Sequence, residues 1–133
     1  MTFRPFAASL LALFLTFGAA QAEPVRAARL QVELAPQSAA APGASVYIAL
    51  HQIIETGWHT YWRNPGDSGQ ATSIAWPLPP GWRAGDIVWP LPRKLPTGPL
   101  MDYGYTGSVF LPVPIKVPAS AKPGTTAHIT ATV

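Results

Sequence analysis

The chain of 133 residues contains no cysteine. That excludes a disulfide scaffold, a thiolate metal site and a thiol nucleophile within these residues. Charge is scarce as well, with Asp, Glu, Lys and Arg together making up 11%. The formal net charge is +3, and it falls by one unit if Arg4 leaves with a leader. Cations this few and scattered, whose longest run is Arg93-Lys94, form no phosphate-tracking stripe, so nucleic acid is excluded as a partner. No apolar run reaches the ~20 residues that a membrane-spanning helix needs. No window carries a convincing period of 3.6, and helix is not expected. What remains is hydrophobic residues at 48%, too many for a wholly disordered chain.

The beginning of the chain has the three parts of an export signal. Arg4 is a positive flank, Phe6 to Phe17 is an apolar run of about a dozen residues, and Ala20-Gln21-Ala22 places small residues where a signal peptidase reads. Residues 1–22 are expected to be cleaved after Ala22, leaving Glu23 first, and the destination is expected to be a bacterial periplasm. Residues 23–133 suffice for one domain and not for two.

Proline is abundant at 16 residues, all but Pro5 beyond the leader. This density leaves little room for helix, whereas polar–apolar alternation recurs. It predicts strands over Arg29–Leu34, Ser45–Ile54, Trp58–Trp62, Thr72–Trp76, Ile87–Trp89, Val109–Val117 and Thr126–Val133. In the second of these, Val46, Ile48 and Leu50 share one face and Tyr47, Ala49 and His51 the other. Leu91–Tyr105 reads mostly as loop. Pro112 and Pro114 mark the sixth strand as an edge or an irregular strand. Trp-Pro-Leu-Pro occurs at 76–79 and 89–92, and each copy reads as a strand end whose tryptophan covers the core. Short strands separated by turn signals predict an all-β, immunoglobulin-like antiparallel sandwich, with a small Greek-key barrel as the competitor. The alternation of Thr126–Val133 runs to the last residue, so the domain is expected to be incomplete in its last strands.

The densest motif is Gly57-Trp58-His59-Thr60-Tyr61-Trp62-Arg63-Asn64-Pro65-Gly66-Asp67-Ser68-Gly69. Its Asn-Pro-Gly-Asp run has turn chemistry, with Pro65 presetting φ, Gly66 tolerating positive φ and Asp67 accepting backbone N–H bonds. It reads either as a strand packed by Trp58 and Trp62 before a turn held by Asp67, or as an aromatic patch for a partner. His51, His59, His128 and Met101 are the available metal ligands, but no two histidines have a spacing that makes them neighbours on one element. Asp67, Asp86 and Asp102 fall in predicted loops, where solvated acids are common. Ser68 lacks a nucleophile elbow. Five tryptophans raise the alternative of a glycan-stacking face.

Gly57 to Gly69, the Trp82–Trp89 stretch, Leu95-Pro96 through Asp102-Tyr103-Gly104-Tyr105, and Val109-Phe110-Leu111-Pro112-Val113-Pro114 resemble the periplasmic N-terminal domain of the DsbD/ScsB thiol:disulfide interchange proteins, especially the ScsB-like, alphaproteobacterial branch. The resemblance implies an immunoglobulin-like domain that takes electrons from a membrane-embedded domain through a thioredoxin-like domain of the same protein. It passes them to periplasmic thioredoxin-like or disulfide-isomerase-like partners. It also implies a redox cysteine pair just after the strand placed at Thr126–Val133, so this chain by itself carries no catalytic residue. A cap loop over that pair would fall near Pro96 to Met101, flanked by Tyr103 and Tyr105. The expected docking end is therefore built from Trp58, His59, Tyr61, Trp62, Asn64, Asp67, Pro96, Leu100, Met101, Tyr103 and Tyr105. No cofactor and no metal is expected. The alternative is a non-enzymatic periplasmic binding module for a glycan, a peptide or copper.

Overall fold

The computed structural model describes residues 23–133; the expected leader lies outside the described residues. Eight strands form two antiparallel sheets, and no helix occurs among the described residues. The strands are β1 (Val25–Arg26), β2 (Leu30–Pro36), β3 (Ser45–Ile54), β4 (Thr60–Gly66), β5 (Arg83–Ala84), β6 (Arg93–Thr97), β7 (Leu100–Tyr105) and β8 (Ser108–Lys116). One sheet has the order β1-β2-β3-β8-β5 and the other β4-β7-β6. The all-β, immunoglobulin-like sandwich expected from the alternation is the architecture found.

β3 and β8 are the spine. Their register is continuous from Ser45↔Lys116 to Ile53↔Ser108. Because side chains alternate along a strand, Val46, Ile48, Leu50 and Ile54 of β3 and Val109, Leu111, Val113 and Ile115 of β8 are buried on one face. Tyr105 and Trp62, from the second sheet, pack against Leu50 and Leu111 and join the two layers. The long segment between β4 and β6 lays Ile74, Trp76, Leu78, Trp82, Ile87 and Trp89 across the same core. Both Trp-Pro tryptophans thus cover the core, as their motif predicts.

Four strand and loop assignments differ from the sequence pattern. Thr72–Trp76 is not a strand; it contributes the isolated bridge Ala75↔Thr132. Its alternation is real, since Ile74, Trp76 and Leu78 pack on the core, but Ala75 alone exchanges backbone bonds with Thr132, and Pro77, Pro79 and Pro80 remove the donors that would carry the pairing past Trp76. Ile87–Trp89 is likewise no strand, and the local pairing is the two-residue β5 upstream. Thr126–Val133 has no continuous partner because the segment opposite is the proline-interrupted one, and Thr132 alone is bridged. Leu91–Tyr105 is not mostly loop but the β6–β7 hairpin, registered from Arg93↔Gly104 to Thr97↔Leu100. Gly98, at φ 60°, sits first in its two-residue turn, the place that a type II′ turn reserves for glycine. Pro96 is tolerated because β6 is an edge strand.

Pro112 and Pro114 lie in an interior strand, not an edge one. Their carbonyls accept from Val88 N–H and Gly85 N–H, each at 2.8 Å, so their donor-less nitrogens face away from β3. Pairing with β3 is left intact, and the deficit falls on the side where the short β5 is the neighbour.

Candidate functional site

β4 and β7 carry most of the candidate residues. They pair at Thr60↔Tyr105, Tyr61↔Gly104 and Gly66↔Asp102, with an irregularity between Tyr61 and Gly66. Close approach requires Gly104, where an added Cβ would overlap the Thr60 carbonyl oxygen. Gly104→Ala is expected to cost about 1–3 kcal/mol through overpacking, measured as a shift in the urea midpoint.

At the Gly66 end, the turn after β4 grips the tip of the β6–β7 hairpin. Asp67 N–H donates to the Met101 carbonyl at 3.1 Å, and Met101 N–H donates back to Asp67 Oδ2 at 2.7 Å. The sequence reading of Asp67 as an acceptor of backbone bonds is thereby met across 34 residues rather than within its own turn. Beside it, Asp102 is fully buried in β7. Its Oδ1 accepts from Ser68 N–H and its Oδ2 from the Ser68 hydroxyl, both at 2.8 Å. Burial disfavours its charge, but the Ser68 hydroxyl and amide, the Thr97 hydroxyl and the nearby His59 outweigh this and hold its pKa below the usual aspartate value. Asp102 is thus not the solvated loop acid of the sequence reading.

These bonds fix a tip on which Leu100 and Met101 stand exposed, with Pro96 exposed alongside. Asn64 is exposed near the end of β4, and Tyr103 is half-buried, its ring against Gly66. The tip, the turn and Tyr103 therefore form one surface.

The remaining candidates lie elsewhere. Tyr61 covers Gly69, where an added Cβ would overlap its ring, and meets His59 edge-on at 4.9 Å. Trp62 packs on the core with the Arg63 guanidinium 5.1 Å from its ring. His59 Nε2 and Trp62 Nε1 are buried without a protein partner. Trp58 is exposed at the opposite end of β4, against Arg29, which pairs with Glu55 at 2.8 Å. Trp58 and the hairpin tip lie towards opposite ends of the β4–β7 pair.

Tyr105 belongs to the core. Its hydroxyl donates to the Pro90 carbonyl at 2.8 Å, and burial pushes its pKa up to about 12. A raised tyrosine pKa stabilises the fold below the ordinary value near 10 and loses that contribution as pH climbs through the folded value. Absorbance titration of tyrosinate is expected to show one of the four tyrosines ionising near 12, a component absent in Tyr105→Phe.

The sequence reading missed Gln52, which is buried and bonded to Thr72 Oγ1 at 3.1 Å and Thr60 Oγ1 at 2.8 Å. Among the described residues, no three His, Cys, Asp or Glu side chains converge on a metal-sized site. The polar groups at the Gly66 end hold the turn and the hairpin tip in place.

The sequence profile described as "Thiol:disulfide interchange protein DsbD, N-terminal" matches residues 27–133. The chain belongs to this family. The match takes in every strand of the DsbD-type domain from β2 to β8 and the turn–hairpin grip. The N-terminal periplasmic domain of ScsB from Proteus mirabilis has a similar structure, with 26% identity and a TM-score of 0.59 over 73% of this chain. The chain spans 40% of that solved chain. No curated protein matches it.

Proposed function

We propose that this chain is the scaffold of a periplasmic thiol:disulfide interchange domain. It receives electrons from thioredoxin-like and membrane domains of a longer parent protein and hands them to periplasmic thioredoxin-like or disulfide-isomerase-like partners. Exchange requires a thiolate that attacks a disulfide sulfur, and residues 1–133 contain none. The reactive pair is therefore assigned to sequence after Val133, and this portion supplies the surface on which a partner seats. Export follows cleavage after Ala22.

The observation that carries this reading is the hairpin tip. Leu100 and Met101 are apolar, exposed and held by Asp67 and Asp102, so little ordering remains to be done when a partner docks. Adaptable methionine suits a surface that accepts several partners. The test uses the whole protein encoded by the gene. A cysteine pair is expected within the codons that follow 133. Leu100→Asp with Met101→Asp is expected to slow reduction of an oxidised thioredoxin-like partner at least about tenfold. An unchanged rate, or a reading frame without cysteines, overturns the reading.

A further inference from the structure

A second constellation lies on the outer face of the five-stranded sheet, away from the core and the hairpin tip. Register places Glu33 opposite His51 and His51 opposite Phe110. Both imidazole nitrogens are engaged: Nδ1 lies 2.8 Å from Glu33 Oε1 and Nε2 lies 2.8 Å from Ser108 Oγ. The Phe110 ring stacks on the imidazole at 4.0 Å with 5° between planes.

The backbone explains this packing. Pro112 and Pro114 direct their bonding groups away from β3, and Phe110, of the same parity in an unbroken register, does so too. His51 and Phe110 are then a non-hydrogen-bonded pair, the kind whose side chains stand closest. The imidazole is clamped between its polar partners and an aromatic face, with its side chain 14% exposed, while Ser108 is open to solvent.

A carboxylate can only accept, so Glu33 draws the proton of the neutral ring to Nδ1 and leaves the Nε2 lone pair toward the Ser108 hydroxyl. Serine, base and orienting carboxylate in that order are the connectivity that activates a serine. An open apolar groove lined by Ala35, Tyr47, Ala49, Val88, Phe110 and Pro112 runs along the same face. The amide of Ser108 points to the side of β8 where β5 no longer pairs, and is a donor for charge developing on a carbonyl oxygen.

We propose that Ser108 is an activated nucleophile that accepts acyl groups from carboxylic esters with short apolar acyl chains. His51 is its general base and Glu33 its positioning residue. Ser108 Oγ bonds to the acyl carbon as its proton passes to His51 Nε2. The ester C–O bond breaks, and His51 returns the proton to the departing alkoxide. Water activated by the same imidazole then releases the carboxylic acid and restores Ser108.

The test exposes the full chain to p-nitrophenyl butyrate and to a fluorophosphonate probe. A burst of about one nitrophenolate per chain is expected, with probe mass found on Ser108. Ser108→Ala abolishes both, and because the side chain is exposed its circular dichroism stays that of the parent. His51→Gln slows the burst about a hundredfold or more. Glu33→Gln slows it about tenfold at unchanged amplitude, and Glu33→Asp recovers part of the rate. A parent protein with neither burst nor label, or a Ser108→Ala variant that keeps them, overturns the proposal. Neither result bears on the electron-relay reading, which uses a different surface.

Discussion

Leu111→Ala is expected to lower stability by about 2–5 kcal/mol, the range for removing a buried leucine with partial relaxation. Leu111 has no exposed surface and lies in register with Leu50, itself 1% exposed. The two form the floor on which Tyr105 and Trp62 of the second sheet rest. Tyr105 is fixed at its far end by the bond from its hydroxyl to Pro90, so it cannot sink into the space left behind. The cost is therefore expected in the upper half of that range, whereas Leu111→Met, which keeps the volume, should cost less than about 1.5 kcal/mol. Urea unfolding checks both: the midpoint should fall while the slope holds, since the surface exposed on unfolding hardly changes. A loss below about 1 kcal/mol for the alanine variant would mean that the sheets do not close on each other at this leucine.

The limits of reading this fold from sequence follow from the same geometry. β3 was legible residue for residue because its alternation is unbroken and both its neighbours are long strands. Thr72–Trp76 and Thr126–Val133 alternate as well, yet alternation reports which side chains face inward and not whether a ladder partner exists. Those two segments meet at the Ala75–Thr132 bridge. The β6–β7 hairpin was hidden because Pro96 and Pro99 look like breakers; Pro96 is tolerated at an edge position that only topology assigns, and Pro99 sits in the turn itself. At the candidate site, Asp67 was readable from the turn chemistry of Asn-Pro-Gly-Asp. Asp102 was not, because its partner Ser68 is 34 residues away and nothing local marks a buried carboxylate. Trp58 and Trp62 look equivalent in sequence, but one is exposed and the other packs on the core. The Glu33–His51–Ser108 chain needed three strands in register, so no spacing within the sequence announces it.

Asp102→Ala should act on both stability and the docking surface. The carboxylate makes two charge-assisted bonds to Ser68, and its loss leaves the Ser68 amide without its partner. A fall in Tm on the order of 10 °C is expected for a domain of this size. Its dependence on pH separates this cause from simple packing. A carboxylate whose pKa is held below its unfolded value contributes fully above that unfolded value, near 3.9, and the contribution disappears as pH falls through the folded value. The parent should therefore lose stability on acidification below about pH 4. Asp102→Asn, which keeps the shape without the charge, should show a shallower acid limb and a lower plateau at neutral pH. Parallel acid limbs in the two proteins would show that the charge of Asp102 contributes nothing to folding. The same substitution removes the Ser68 bonds to β7, leaving the Gly66–Asp102 backbone pairing and the Asp67–Met101 bonds to hold the tip. Amide exchange at Ser68 and Met101 should then accelerate while exchange in β3 and β8 stays slow, the mark of a local opening rather than a global one.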